Sequence, residues 1–177
     1  VCVLRDGKTG RELAQSSMMN PQVAYGADVI TRIQQAVQGK LALLTQLIRH
    51  AMTDLIQTVC DDAGISPKKV GVVSVVGNPA MQQLFLGICP DNLSEVPFAP
   101  ALTEAKAVSC KEILPICPAA QLLIVPDIAG FIGADTIGCL LATKLYEDDA
   151  LTLLVDIGTN GEMVLGIIGI WRRHTSD

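Results

Sequence analysis

Leu151-Thr152-Leu153-Leu154-Val155-Asp156-Ile157-Gly158-Thr159-Asn160-Gly161-Glu162-Met163-Val164-Leu165-Gly166 is the stretch on which the fold turns. An apolar run ends in an aspartate, a Gly/Thr/Asn turn follows, and a second apolar run starts at once. The pattern predicts a strand, a tight turn and a returning strand. Phosphate oxygens need backbone N–H groups gathered closely, and glycine permits that approach. Gly158 and Gly161 are the permissive positions, and Thr159 and Asn160 add side-chain donors. Asp156 at the strand end is placed to hold a magnesium ion through water, and Glu162 to orient a water or join the metal's shell. The competing reading is a plain β-hairpin with Asn160-Gly161 as a type I′ turn. Only 15 residues follow Glu162, which is little for a site at that position.

Working outward, the elements alternate. Val1–Leu4 and Arg11–Ser16 read as a hairpin around Asp6-Gly7-Lys8-Thr9-Gly10. Tyr25–Val37 shows helical spacing and Gly39 is a candidate C-cap. Leu41 to Ala63 is the longest helical pattern, with apolar residues three and four apart from Leu44 to Val59. Val70–Val76 is a β-branched run expected to be a strand buried on both faces. Asn78 can cap the following helix, with Pro79 in its first turn and Gly87 at its end. Ala105–Ser109 and Leu122–Val125 are further strands. The stretch beginning at Gly130-Phe131-Ile132-Gly133-Ala134-Asp135 leads into a helix that runs to about Leu145. Strands alternating with helices predict an α/β fold with a mixed sheet.

Composition bounds the function. Half of the 177 residues are apolar but only 3% aromatic, so the core must be aliphatic. A net charge of -5 argues against a nucleic-acid surface, and Arg172-Arg173-His174 is too small a cluster to reverse that. Asp and Gly interrupt every candidate membrane span. The six cysteines contain no Cys-x-x-Cys pair, which points to reduced thiols in the cytoplasm and not to a disulfide or metal framework. Asp6–Gly10 imitates only part of a Walker P-loop, and the glycines at 130, 133 and 138 do not form a dinucleotide fingerprint. Neither His50 nor His174 stands beside a nucleophile motif. Gly77-Asn78 and Asp135 are placed to approach a nucleotide, though each also suits an ordinary helix start, as does Asp28.

The Asp156–Glu162 turn resembles the second phosphate motif of the actin, sugar-kinase and heat-shock ATPase superfamily. More narrowly, the chain resembles the C-terminal ATPase domain of the ATP-dependent reductive activators of corrinoid proteins. Four further stretches carry the likeness: Asn20-Pro21-Gln22 with Tyr25-Gly26-Ala27-Asp28-Val29-Ile30-Thr31-Arg32-Ile33; Val76-Gly77-Asn78-Pro79-Ala80-Met81; Pro97-Phe98-Ala99-Pro100; and Gly130-Phe131-Ile132-Gly133-Ala134-Asp135-Thr136. The likeness covers residues 1–166, while 167–177 forms a tail outside it.

The resemblance implies a ribonuclease-H-like mixed sheet flanked by helices, here an incomplete actin-like lobe lacking its first strand. It implies ATP and Mg2+ as ligands, with Asp156 and Glu162 catalytic and Asp156 metal-bound. Gly158, Thr159, Asn160, Gly161, Gly77, Asn78 and Asp135 would line the nucleotide. A [2Fe–2S] cluster belongs only to the N-terminal region of the parent. The implied activity couples ATP to reduction of cob(II)alamin to cob(I)alamin on a corrinoid protein, and the isolated piece would be a weak or inactive ATPase. A non-catalytic assembly module and a small-molecule kinase are the alternatives. In the implied fold the first strand lies centrally, so Leu151–Ile157 is expected to fill its slot, within the chain or by strand exchange in a homodimer.

Overall fold

The computed structural model describes residues 1–147, 149–157, 161–167 and 170–176, with backbone alone from residue 167 onward. The hairpin β1 (Cys2–Arg5) and β2 (Glu12–Ser16) forms as its pattern predicts. Its turn is closed by Asp6, whose carboxylate accepts the N–H groups of Lys8 and Thr9 at 3.0 and 2.7 Å and the Thr9 hydroxyl at 2.8 Å. This is the Asx-type bonding for which Asp favours turns.

Asp28 caps α1 (Val29–Gln35) by accepting the Thr31 N–H at 2.8 Å. The helical path does not stop at Gly39. It passes through a wide turn over Ala36–Lys40, where Gly39 takes φ +98°, and continues as α2 (Leu41–Asp62). A left-handed residue usually ends a helix, but here it bends one helix into the next.

Buried residues of α2, from Leu44 to Cys60, recur at helical spacing and form the central packing surface. Against it lie α3 (Pro79–Leu86), β1 and the sheet built from β3 (Val72–Val75), β4 (Lys106–Ser109) and β5 (Gln121–Ile124). The main core gathers Ile56, Cys60, Phe85, Leu114 and Leu122, each nearly sealed from water. Burying such side chains supplies about 1.5–3 kcal/mol each. All six cysteines are free, and burial pushes Cys117 up to about 11, which keeps it an unreactive thiol.

The sheet order is β3-β5-β4, with β3 parallel and β4 antiparallel to β5. β3 departs from the sequence expectation. Instead of being buried on both faces it is an edge strand, with Val72 57% and Val76 49% exposed. Its valines belong to a strand with one neighbour.

A separate sheet holds α4's sequel: after α4 (Ala134–Thr143) come β6 (Thr152–Ile157), β7 (Gly161–Ile167) and β8 (Ile170–Ser176), paired antiparallel in that order. The tail of residues 167–177, expected to lie outside the family likeness, supplies a strand, β8. One expectation changes here. Leu151–Ile157 does not fill a slot beside β3 in this chain, because β6 pairs with β7 across six residues. The nearby partner wins since closing a short loop costs less entropy than a distant pairing. No described helix is long and apolar enough to cross a membrane.

Candidate functional site at the carboxyl ends of β3 and β5

Parallel strands deliver their following loops to one edge, and in α/β sheets that edge is where ligands bind. β3 leads into Gly77-Asn78, and β5 leads through Pro126 to Asp127 and the Gly130–Asp135 loop. The two loops are in close contact. A Cβ on Gly133 would stand 2.5 Å from the Gly77 carbonyl oxygen and 2.6 Å from the Asn78 Cα. Only glycine at 133 lets the loops approach this far. Gly130 is equally constrained, since a Cβ there would lie 1.8 Å from the Phe98 carbonyl oxygen. Phe98 itself has φ +54° and its ring meets that of Phe131 at 5.2 Å. The Pro97–Pro100 and Gly130–Thr136 stretches, far apart in sequence, thus meet as one support beneath the crevice.

Asn78 caps α3, its side-chain oxygen accepting the Met81 N–H at 3.0 Å. Asp135 lies in the first turn of α4 and accepts the Thr136 N–H at 2.9 Å. Burial raises its pKa first, and the Asp156 charge adds to that. Asp156 and Glu162 stand directly opposite each other on β6 and β7. Burial and then the charges of Asp135 and Asp156 raise the Glu162 carboxyl above its usual range. The structure therefore brings Asp135, Asp156 and Glu162 within electrostatic reach of one another, with Asp135 also bordering the Gly77-Asn78 loop. Gly161 opens β7 next to this group. Gly158, Thr159 and Asn160 lie outside the described residues.

Asp127 is the residue that the sequence pattern did not single out. It is 5% exposed, and neither carboxyl oxygen has a hydrogen-bond partner. Burial lifts its pKa to about 7; the Ala134 N–H, short of hydrogen-bond geometry, pulls the other way, and Asp135 adds a smaller rise. The available signal was its position just after a strand that ends at Pro126. Among the described residues no three His, Cys, Asp or Glu side chains converge closely enough to coordinate a metal directly.

The fold and crevice define an α/β module that concentrates negative charge where parallel strands end. Residues 1–148 match the family model described as the RACo middle region, and the chain belongs to that family. The match is to the middle region, whereas the sequence resemblance pointed to the C-terminal ATPase domain. Corrinoid activation enzyme RamQ of Eubacterium limosum is 36% identical over 166 residues, which are 92% of this chain and 28% of that protein. A solved structure of a reductive activator for a corrinoid, iron-sulfur protein aligns with TM-score 0.91 and 32% identity over 97% of this chain and 28% of its own. The chain thus spans little more than a quarter of the length of each.

Proposed function

We propose that these residues form one module of an ATP-dependent reductive activator that returns a corrinoid protein from cob(II)alamin to cob(I)alamin. The observation that carries this reading is similarity across nearly the whole chain to two corrinoid activators. The electron would come from a [2Fe–2S] centre in another part of the longer protein, and the module would work in the cytoplasm. The electron step is uphill, and a nucleotide can drive it only by binding two conformations unequally.

In this reading the lobe is ribonuclease-H-like and the crevice meets a magnesium nucleotide. Two features support it. The tight Gly77-Asn78 and Gly133 contact brings the loops that follow β3 and β5 together at the crevice, the edge where α/β sheets bind ligands. The Asp135, Asp156 and Glu162 group would repel bare phosphate, so a cation must come with the nucleotide. Asp156 and Asp135 would hold the hydrated Mg2+, and Glu162 would orient the attacking water. The residues 158–161 would complete the phosphate cradle with another lobe of the parent. A second reading, an assembly module, draws on the exposed apolar side chains Leu153, Val155 and Ile157 along β6.

Titration of the full-length protein with ATP, with Mg2+ and with a chelator, separates the two. The nucleotide reading expects Mg2+-dependent binding that Asp135→Asn weakens by about tenfold, roughly 1.4 kcal/mol. Absence of binding at millimolar ATP, or wild-type affinity in Asp135→Asn, would leave the assembly reading in place.

A further inference from the structure

Arg32 is a cation buried without an anion. It is only 9% exposed, and it donates from Nε to the Gly26 carbonyl at 2.9 Å, from Nη2 to the Ala27 carbonyl at 3.5 Å and from Nη1 to the Met81 Sδ at 3.4 Å. Among the described residues it forms no ion pair. The charge that acts on it is that of Asp28, whose carboxylate is already engaged by the Thr31 N–H and hydroxyl at 2.8 and 2.9 Å. Gly26 makes room for the side chain, since a Cβ there would stand 3.0 Å from the Arg32 Cγ. Carbonyls and a thioether thus fix the guanidinium in place and leave its charge intact.

The location adds to the imbalance. Met81 is the third residue of α3, so the guanidinium rests against the first turn of that helix. A helix N-terminus already carries partial positive charge and favours anions, whereas cations belong at the other end. Burying an unpaired charge is costly as well. Two positive features meet at Gly77–Met81, and an anion beside them would relieve both. Met81 lines the same recess as Gly77, Asn78 and Asp135, so a single side chain separates the guanidinium from the crevice.

We propose that Arg32 is a positioning residue for a polyphosphate in the crevice: it supplies a fixed positive charge behind the first turn of α3 and does not touch the ligand. This rests on the nucleotide reading of the crevice and gives that site a second pole. Asp135 and Asp156 would take the hydrated cation on one side, and the Arg32 charge would draw the phosphate chain toward Gly77 and Asn78 on the other. Salt screens a buried charge little, so Arg32 acts across one side chain where an exposed lysine would not. Because the charge is in place before the ligand arrives, it orients the phosphates without reorganisation.

Titration calorimetry on the full-length protein with Mg2+-ATP and with Mg2+-tripolyphosphate tests this through three variants that separate charge from hydrogen bonding. Arg32→Lys keeps the charge, Arg32→Gln keeps a donor for Gly26 without the charge, and Arg32→Met keeps neither. Arg32→Lys should bind both ligands within about threefold of wild type, and Arg32→Gln and Arg32→Met should both bind about tenfold more weakly. Equal losses in all three, or a Gln variant that binds like the Lys variant, would make Arg32 a structural tie alone and overturn the proposal. The comparison survives a Met variant that does not fold, because Lys and Gln already differ in charge. Tripolyphosphate keeps the two readings apart. Arg32-dependent binding of tripolyphosphate without binding of ATP supports the anion pole and rejects the nucleotide. Binding of both ligands at an affinity that ignores Arg32 rejects the role of Arg32 alone, and binding of neither rejects both.

Discussion

The α2–α3 interface and the crevice at the ends of β3 and β5 both hold buried polar side chains, and they treat them in opposite ways. Between the helices every such group is used. Thr45 donates to the Leu84 carbonyl at 2.8 Å, Arg49 to the Phe85 carbonyl at 2.8 Å, and Gln22 to the Leu44 carbonyl at 2.9 Å. Gln83 exchanges two hydrogen bonds with Asn92 at 3.2 Å and accepts the Ala101 N–H at 3.0 Å. In the crevice, Asp127 is buried without a partner and Asp156 faces Glu162 across two strands. Satisfied polar groups fix a structure, whereas like charges held together against their own repulsion mark a place that awaits a cation, a proton or a partner.

The largest expected effect breaks the satisfied side. Gln83→Leu keeps the volume but strands the Ala101 N–H and the Asn92 side-chain oxygen, while the Asn92 amide nitrogen keeps the Ala99 carbonyl as acceptor. A loss of about 2–3 kcal/mol in urea unfolding is expected from the uncompensated groups. A loss below about 0.5 kcal/mol would show that water replaces them and that the contrast is overstated.

The next effect has the opposite sign and comes from the crevice. Asp127 titrates near 7 when folded and near 3.8 when unfolded. Between those values the folded state binds the extra proton, so stability falls as pH rises from 4 through 7. Above that range the ionised, buried carboxylate costs roughly 2 kcal/mol after allowance for relaxation. Asp127→Asn should therefore raise stability at pH 8 by about this amount and change little at pH 4. A variant whose stability parallels wild type across the range would show that Asp127 finds a partner in solution.

Most of the scaffold was legible in the sequence because local chemistry decided it. Asn78, Pro79 and Gly87 bound α3 as their residue types require, and Asp6 and Asp28 form the turn and cap their positions suggest. What stayed hidden depends on contacts remote in sequence. Val70–Val76 reads as a fully buried strand, and nothing within it reveals that one neighbour is missing. The pairing of β6 likewise turned on competition between a near and a distant partner. Asp127 shows the same limit at the site. Burial strips its solvent, and burial is a property of the packed Gly130–Asp135 loop, which a lone Asp after Pro126 cannot announce.

The smallest effect sharpens the comparison where stability and function should part. Carboxylates directly opposed in an antiparallel pair repel, so Asp156→Asn should stabilise the protein by about 0.5 kcal/mol at neutral pH. It should also let the Glu162 carboxyl fall toward its usual range, because Asp156 is one of the charges raising it. The sign follows from linkage: a carboxyl raised by folding weakens the fold as pH climbs through its folded value, and removing the neighbour reduces that loss. Carbon-detected NMR titration of Glu162 reads the shift directly, alongside urea midpoints. If the repulsion is retained for cation binding, the same substitution should weaken Mg2+-dependent nucleotide binding by the full-length protein. A variant that gains stability and keeps that binding would show the opposed pair to be a tolerated accident of strand register, and would move the functional weight of the crevice to Asp135.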